Sequence, residues 1–421
     1  MWSKIRKRRA ATNYLYLIQF YQWIFTIFGI NLPPDFYREF NDSLKRKLLL
    51  SFYTLYCVVL FTMAVLTTHT HNNIVEGAIH RHKLDSITQI ISYLHHGCIV
   101  LFFGCIEIKA LMKNNELKEI FNLMLDLENE IPFEYFEIKR MLSLKWKLLR
   151  NTGLWIIFLL SATAYLSYVI IAWDMPTFGK VFNSFLLMAL QLKGVEYMIF
   201  LQIVYDLINR IWESLENLQL KLEFKKRLKV EDSQFSSCTL QQLIKYQQQL
   251  NKTWFLIVKI DSYFAEPIFC LFINNGLCII YTVNWAYLRI IYETMYSTQT
   301  LRYSYIFILF LNIYLICYFA ENCMKKYRYI TEVLNNVKLH PQNVQLGNRL
   351  REFYLQLKHQ KLTFTCNNFL DINFSNFGKM VLIVFSFIVI LIQFKMEDLS
   401  TGAAYATQQI FGRKQIKIGI N

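Results

Sequence analysis

Charged residues are scarce in this sequence. Only 18% of its 421 residues are Asp, Glu, Lys or Arg, whereas 54% are hydrophobic and 35 are Phe. A soluble domain of this length rarely combines so few charges with so many aromatic residues. The apolar residues also stand in long blocks, so the composition excludes an ordinary soluble protein and indicates a helical membrane protein.

The short motifs of common enzyme classes are also missing. The sequence contains no G-x-x-x-x-G-K-[ST], H-E-x-x-H, G-x-S-x-G or G-x-G-x-x-G pattern. These patterns mark P-loop, zinc-protease, serine-hydrolase and dinucleotide sites. We therefore expect neither an enzymatic activity nor a cofactor.

Seven apolar blocks have about the length of a membrane span, for which a helix needs ~20 residues. The fourth block contains two charged residues, Lys193 and Glu196, and the last has only 15 residues. The predicted fold class is an all-α membrane protein with seven transmembrane helices. The predicted spans are 48–68, 86–106, 151–173, 181–205, 267–288, 303–320 and 380–394.

Residues 11–30 form a further uncharged stretch, between two groups of cations. A membrane span here would place one of these groups on the wrong side of the bilayer. A signal peptide is disfavoured, because the stretch is rich in aromatic residues and no small-residue cleavage site follows it. We predict an interfacial or re-entrant helix within a cytosolic amino-terminal segment, residues 1–47.

The distribution of Lys and Arg predicts the orientation. Of the 45 Lys and Arg residues, 35 fall in four alternating segments, 1–47, 107–150, 206–266 and 321–379. The positive-inside rule places these segments in the cytosol and the tail 395–421 outside. The net charge of +15 then suits an anionic membrane lipid surface and requires no nucleic acid. None of the nine cysteines falls in a predicted extracellular segment, which excludes extracellular disulfides.

The cytosolic segments carry apolar stripes with helical spacing. Such stripes are too short to be stable alone, so they must pack against each other or against other subunits. The sequence leaves open an intrachain bundle or a cytosolic oligomerisation platform built by these helical extensions. The stripes are Leu207/Ile211/Leu215/Leu218/Leu222, Leu243/Leu250/Ile257, Leu346/Leu350/Phe353/Leu357 and Leu117/Phe121/Met124.

Polar residues inside the predicted spans are candidate functional residues, because each is costly unless it is paired or hydrated. Lys193 and Glu196 are spaced to pair on one helix face, as an internal ion pair or as part of a ligand pocket. Other residues of a possible pocket could equally make bonds between helices or anchor the interface. They are His95, His96, Asn275, Trp173 and Trp285.

Four further histidines, His69, His71, His80 and His82, fall in the first predicted extracellular loop. Two His-x-His pairs could bind Zn²⁺ or sense pH. Because no acidic second shell is evident, we predict solvated loop histidines and no metal site.

The last block, 380–394, is short for a lipid-facing span and ends in Gln393 and Phe394. At 1.5 Å per residue it covers about 22 Å, less than a ~30 Å hydrocarbon core. Such a helix suits a pore, in which Phe394 forms an apolar constriction and Glu397 and Asp398 favour cations at the outer mouth. An ordinary packed helix, with Gln393 bonded to a neighbour, is the alternative.

This stretch resembles the signature of the insect gustatory receptors: Thr-Tyr, five apolar residues, then Gln-Phe. Here Ser386-Phe387 precedes residues 388–392, with Ile390 at their centre, and Gln393-Phe394 follows. Ser386 keeps the hydroxyl group of the Thr, but Phe387 lacks the phenol of the Tyr. Seven spans with a cytosolic amino terminus agree with the resemblance.

The resemblance implies a homo- or heterotetrameric, ligand-gated, non-selective cation channel in the plasma membrane of a gustatory neuron, at its dendrite or soma. The last helix would line the pore, with Gln393 and Phe394 at the gate. A small-molecule tastant would bind among the membrane helices of each subunit. Two alternatives stay open at this point: a seven-helix receptor that signals through a cytosolic transducer, and a transporter.

Overall fold

The structure, a computed structural model, describes residues 14–34, 43–82, 86–130, 137–170, 176–228, 233–292, 297–337, 344–366 and 369–418. Within these ranges the chain forms ten helices and one two-stranded sheet. The elements are α1 (Tyr14–Ile27), α2 (Ser43–His82), α3 (Ser86–Met112), α4 (Asn114–Glu130), α5 (Glu137–Ile170), α6 (Thr177–Leu228), α7 (Ser233–Tyr292), α8 (Ser297–Asn336), α9 (Val344–His359), β1 (Thr365–Cys366), β2 (Leu370–Asp371) and α10 (Phe374–Ile418).

Five stretches of helix in the described ranges have the length and apolar character of a membrane span. The two other predicted spans, 151–173 and 267–288, lie largely in α5 and within α7. The helical membrane fold is thus confirmed, whereas the count of seven spans and the orientation stay predictions. The five stretches are Leu44–Gly77, Ser86–Met112, Thr177–Lys225, Gln299–Asn336 and Phe374–Glu397.

The central element is α6, which packs against α5, α7 and α8 and also contacts α1, α2 and α3. Its 52 residues join the fourth predicted span to the first cytosolic stripe without a break. Gly194 allows the close approach of α7 and α8, because a Cβ there would lie 2.6 Å from Leu271 Cδ2 and 3.1 Å from Ile316 Cδ1. A tight helix crossing of this kind fixes α6 as the core of the bundle.

The helix α1 lies within the uncharged stretch 11–30, for which an interfacial or re-entrant helix stays a prediction. Its 14 described residues cover about 21 Å. The chain then turns at Gly29, whose φ of 72° follows bonds from Gly29 N to Thr26 O and from Ile30 N to Phe25 O. This C-terminal cap favours glycine. The turn directs Asn31 into the core, where it is fully buried.

The stripes predicted to be cytosolic pack within the chain. Leu207, Leu250 and Phe353, on three different helices, are buried in one core with the other stripe residues except Leu222, which is partly buried against it. Polar contacts reinforce the packing: Lys252 and Lys259 of α7 pair with Glu130 and Glu119 of α4. The stripes thus pack in an intrachain bundle, and the cytosolic oligomerisation platform stays a prediction.

A small sheet not anticipated from the sequence joins α9 to α10. The strands β1 and β2 pair antiparallel, and Asp261 of α7 holds β1 by accepting bonds from Thr365 N at 2.9 Å and Thr365 Oγ1 at 3.1 Å. Burial raises the pKa of the Asp261 carboxyl to about 6, while the bonds from Thr365 oppose the rise. This clamp fixes the start of α10 against the long helix α7.

The helix α10 is longer than predicted, so the argument that a short last span suits a pore is wrong. It has 45 residues, and its candidate span, Phe374–Glu397, has 24. At 1.5 Å per residue this span is about 36 Å long and can cross the bilayer. The tail is helical to Ile418 as well. A role in a pore must therefore rest on which face of α10 is exposed and not on a short span.

Candidate functional site

Between Phe374 and Glu397, where its side chains are described, the helix α10 buries only a narrow stripe. Val384, Leu391 and Lys395 are buried and Ile388 is partly buried, with the spacing of three or four residues that defines one helix face. This face packs against α7 and α8. A Cβ at Gly276 of α7 would lie 3.6 Å from Val384 Cγ2, an ordinary van der Waals distance. Only 11% of the apolar segment of α10 is buried within the chain.

All the residues predicted to line the pore lie away from this stripe. At 100° per residue they occupy an arc of roughly 120° on one side of α10. Phe394 is 53% exposed, and Phe387 and Ile390 are similarly exposed. Ser386 and Gln393 are exposed as well, as is Glu397, while the Asp398 side chain lies outside the described residues. The structure thus brings these residues together on one uncovered helix face.

Lys193 and Glu196 form a buried ion pair. Lys193 Nζ lies 2.7 Å from Glu196 Oε2, and the two side chains are 2% and 3% exposed. Asn31 bonds both, with its Nδ2 donating to Glu196 Oε1 at 2.5 Å and its Oδ1 accepting from Lys193 Nζ at 3.2 Å. We call these three residues the Asn31 triad. The pairing agrees with an internal, structural role, and a contact with ligand stays a prediction.

Asn275 belongs to a separate group of hydrogen-bonded side-chain amides. Gln191 Nε2 donates to Asn275 Oδ1 at 2.6 Å, and Asn312 Nδ2 donates to Gln191 Oε1 at 2.7 Å. These bonds join α6, α7 and α8 in the buried core. Amide bonds of this kind stabilise helix packing in membranes.

His95 and His96 meet His71 and Tyr281, a group that we call the histidine cluster. The ring centroids of His71 and His96 are 3.7 Å apart, and the His95 ring stacks on Tyr281 at 4.3 Å. All three histidines are buried. Four ring nitrogens have no hydrogen-bond partner among the described residues: His71 Nδ1, His95 Nδ1, His95 Nε2 and His96 Nε2.

The prediction that His71 is a solvated loop residue is wrong. The helix α2 continues through this segment to His82, and it turns His71 into the bundle, where Tyr281 contacts it at 3.4 Å. His69 and His80 are exposed, as expected, and the His82 side chain is not described. In the described part of the chain, no three His, Cys, Asp or Glu side chains are placed to hold a metal ion.

A hydrogen-bonded junction lies beside the histidine cluster, and sequence reasoning missed it. Thr88 Oγ1 of α3 accepts from Lys395 Nζ of α10 at 2.8 Å and from Asn284 Nδ2 of α7 at 3.3 Å. One turn further along α3, Ser92 Oγ accepts from Trp285 Nε1 at 3.3 Å. We call Thr88, Asn284 and Lys395 the Thr88 junction. Trp285 is thus placed next to it, whereas Trp173 lies outside the described residues.

An open groove between α5 and α8 is a further candidate for apolar ligands or lipid. Its volume is about 570 Å³, and its walls are almost entirely apolar or aromatic. Tyr165 and Phe307 are more than half exposed, so the groove is open to the outside of the helix bundle. From sequence alone, such aromatic residues cannot be told from ordinary lipid-facing ones. The lining residues are Phe158, Ala162, Tyr165, Tyr303, Ser304, Phe307 and Ile308.

The fold has a counterpart among solved structures. It is similar to the insect olfactory receptor OR5 from Machilis hrabei, with a TM-score of 0.59 and 13% sequence identity. The match covers 90% of this chain and 99% of that chain. The structure of OR5 in complex with eugenol matches with a TM-score of 0.55 and 14% identity, over the same shares of both chains.

Sequence comparison points to a family of receptors. Two Drosophila melanogaster relatives carry the gustatory receptor names 98c and 98b. The relative 98c is 28% identical to this chain, and the match covers 90% of this chain and 93% of the relative. The relative 98b is 24% identical, and the match covers 90% of this chain and 94% of the relative. The family model described as 7tm Chemosensory receptor matches residues 16–398. The match spans nearly the whole chain, and the protein therefore belongs to the 7tm chemosensory receptor family, which is a family of membrane receptors and not of enzymes.

Proposed function

We propose that this chain is a subunit of a tastant-gated, non-selective cation channel in the plasma membrane of a gustatory neuron. The observation that carries the proposal is the uncovered face of α10. The helix is apolar enough to span the membrane, yet 11% of its apolar segment is buried within the chain. A face of this kind must meet lipid, other subunits or an aqueous pore.

Membership in the chemosensory receptor family favours the pore among these three. Gln393 and Phe394, the last two residues of the gustatory receptor signature, are both exposed, and Glu397 is exposed one turn beyond Gln393. In an assembly of four chains, an amide and an aromatic ring would thus converge at the axis. A ring of Phe side chains can close a pore by dewetting, and acidic residues at its mouth favour cations.

The gate is tested by two substitutions, Gln393→Ala and Phe394→Ala, each measured as current per receptor at the cell surface. We expect a larger basal leak or an altered conductance, because each change removes a group from the proposed constriction. Phe385→Ala is the matched control, since Phe385 is 62% exposed on a different side of α10. Currents unchanged in both gate variants, or changed equally in the control, would count against a gate at this position.

For the ligand, we propose that a small polar tastant contacts the histidine cluster and Trp285. The orphan ring nitrogens of His95 and His96 support this proposal, because buried polar atoms without partners are uncommon in folded proteins. Lys193, Glu196 and Asn275 already have internal partners, so we assign them a structural role. A ligand opens the channel only if it binds the open arrangement more tightly than the closed one.

The ligand site is tested by His96→Asn, measured as the agonist concentration that gives half-maximal current. We expect a shift of roughly tenfold, the range for one or two lost hydrogen bonds. His80→Asn is the control, because His80 is exposed and lies beside Glu76 on the surface. An unshifted response in the His96 variant would place the ligand elsewhere.

Agonist responses that vanish in excised patches without GTP would favour a receptor that uses a cytosolic transducer.

A further inference from the structure

The buried stripe of α10 ends in a charged residue, Lys395. The stripe residues before it, Val384, Ile388 and Leu391, are apolar and pack inward. Lys395 continues the same face one turn later, and only 3% of it is exposed. Burying an ammonium group is costly unless it is hydrogen-bonded. The position of Lys395 therefore requires partners on the helices beside α10.

Thr88 provides one such partner. Its hydroxyl oxygen, which is fully buried, accepts from Lys395 Nζ at 2.8 Å and also from Asn284 Nδ2 at 3.3 Å. A single hydroxyl thus joins α10 to α3 and α7, across 307 residues of sequence. A hydrogen bond from a charged donor is among the stronger ones in proteins.

The location of this junction links two parts of the molecule. Along α10, Lys395 directly follows Gln393 and Phe394, the residues of the proposed gate. Along α3, Thr88 lies one turn before Ser92, which bonds Trp285, and two turns before His95 and His96. A change in the separation of α3 and α7 at the histidine cluster must therefore change the geometry of the Thr88 junction.

We propose that Lys395 is a positioning residue that couples the α3–α7 side of the bundle to the gate end of α10 through Thr88. This inference rests on the proposed function, in which α10 lines the pore. A ligand that alters the spacing of α3 and α7 moves Thr88, and Lys395 transmits that movement to the adjacent gate residues. Coupling of this kind requires a two-state element that both sites bias, and the end of α10 is that element.

The test is a double-mutant cycle with Lys395→Met and Thr88→Val, measured as the half-maximal agonist concentration at equal surface expression. Each single variant is expected to shift that concentration on the order of tenfold. The double variant is expected to shift it no further, because both changes break the same bond. Lys395→Arg, which keeps a charged donor, is expected to restore most of the response. Lys379→Met is the control, since Lys379 is exposed and bonds Asn376 on its own helix.

Unshifted single variants, independent effects in the double variant, or an equal shift in the Lys379 control would each overturn the coupling. If the wild-type chain carries no current, the proposed function fails, and the coupling is then measured by thiol labelling and not by current. A Met396→Cys variant then reports the position of the gate end through its rate of thiol labelling, with the labelling of the parent chain subtracted. Thr88→Val must change that rate, because Thr88 lies on another helix; an unchanged rate overturns the inference.

Discussion

The two helices α6 and α10 are both apolar enough to cross a membrane, yet they differ in how much of their surface is buried within the chain. In α6, 89% of the apolar segment is buried within the chain; in α10, the share is 11%. The polar residues follow the same division. Lys193 and Glu196 of α6 are paired inside the core, whereas Gln393 and Ser386 of α10 are exposed.

This difference shows that a membrane span is described by what covers it and not only by its hydropathy. A span whose whole circumference is covered is a structural core and tolerates little change. A span with one narrow covered stripe leaves the rest of its surface for lipid, other subunits or water. Substitutions in α6 should therefore act mainly on the stability of the chain, and those in α10 mainly on the subunit contacts and conduction of the proposed channel.

The largest effect is expected inside α6, from Lys193→Met. This change leaves Glu196 as a buried carboxylate without its cation, which costs about 3–5 kcal/mol of the free energy of unfolding. The paired change Lys193→Met/Glu196→Gln removes both charges and should be milder. Thermal unfolding of the purified chain measures both losses. An equal loss in the single and double variants would show that the pairing of the charges does not matter.

A leucine pair compares the two helices directly. Leu207→Ala in α6 should cost about 2–5 kcal/mol of the free energy of unfolding, because it leaves a cavity at a fully buried position. Leu382→Ala in α10 should change it by less than about 0.5 kcal/mol, since Leu382 is 65% exposed in the single chain. Denaturant unfolding of the dissociated chain tests both values. Similar losses would erase the distinction between the helices.

A glycine pair tests how closely the helices approach. Gly194→Ala should cost about 1–3 kcal/mol of the free energy of unfolding, because the new Cβ would lie 2.6 Å from Leu271 Cδ2. Gly276→Ala meets Val384 at an ordinary 3.6 Å and should be neutral or stabilise by about 0.5–1 kcal/mol through helix propensity. The two shifts in unfolding temperature should therefore have opposite signs or clearly different sizes.

The smallest effect concerns the clamp that fixes the start of α10. Burial raises the pKa of Asp261 from its ordinary 3.8 to about 6, so the folded chain binds this proton more tightly than the unfolded chain. The contribution of Asp261 is therefore fully present below pH 3.8 and is lost as the pH rises through 6. The expected loss in the free energy of unfolding is on the order of 1–2 kcal/mol.

Asp261→Asn is the matched variant for this pH dependence, because the amide can keep both contacts with Thr365 and does not titrate. Its free energy of unfolding should fall less between pH 4 and pH 7 than that of the wild type. The difference between the two pH profiles isolates this one carboxyl from the other titrating groups. Parallel profiles would show that Asp261 does not contribute.

Features set by local periodicity could be predicted from the sequence. The leucine stripes were expected to pack, and residues such as Leu207 and Leu250 are buried. The spacing of Lys193 and Glu196 indicated a pair, and the structure contains it. In each case the signal lies within a few turns of one helix.

Features that depend on distant helices could not be predicted in this way. Asn31 reaches Glu196 across 165 residues, and Lys395 reaches Thr88 across 307. His71 was expected in a solvated loop, because the apolar run ends at residue 68 and the polar residues after it give no sign that the helix α2 continues to His82. A residue of this kind is buried by what packs against it, and a single sequence does not give that information.

The long reach of Asn31 also has a consequence for biosynthesis. Its two ionic partners are made more than 160 residues later, which at about 5–20 residues per second is a delay of roughly ten to thirty seconds on the ribosome. Throughout that interval Asn31 has neither of these two partners. The Asn31 triad is thus completed late in synthesis, and nascent chains that stop before residue 193 are expected to leave the segment around Asn31 accessible to protease.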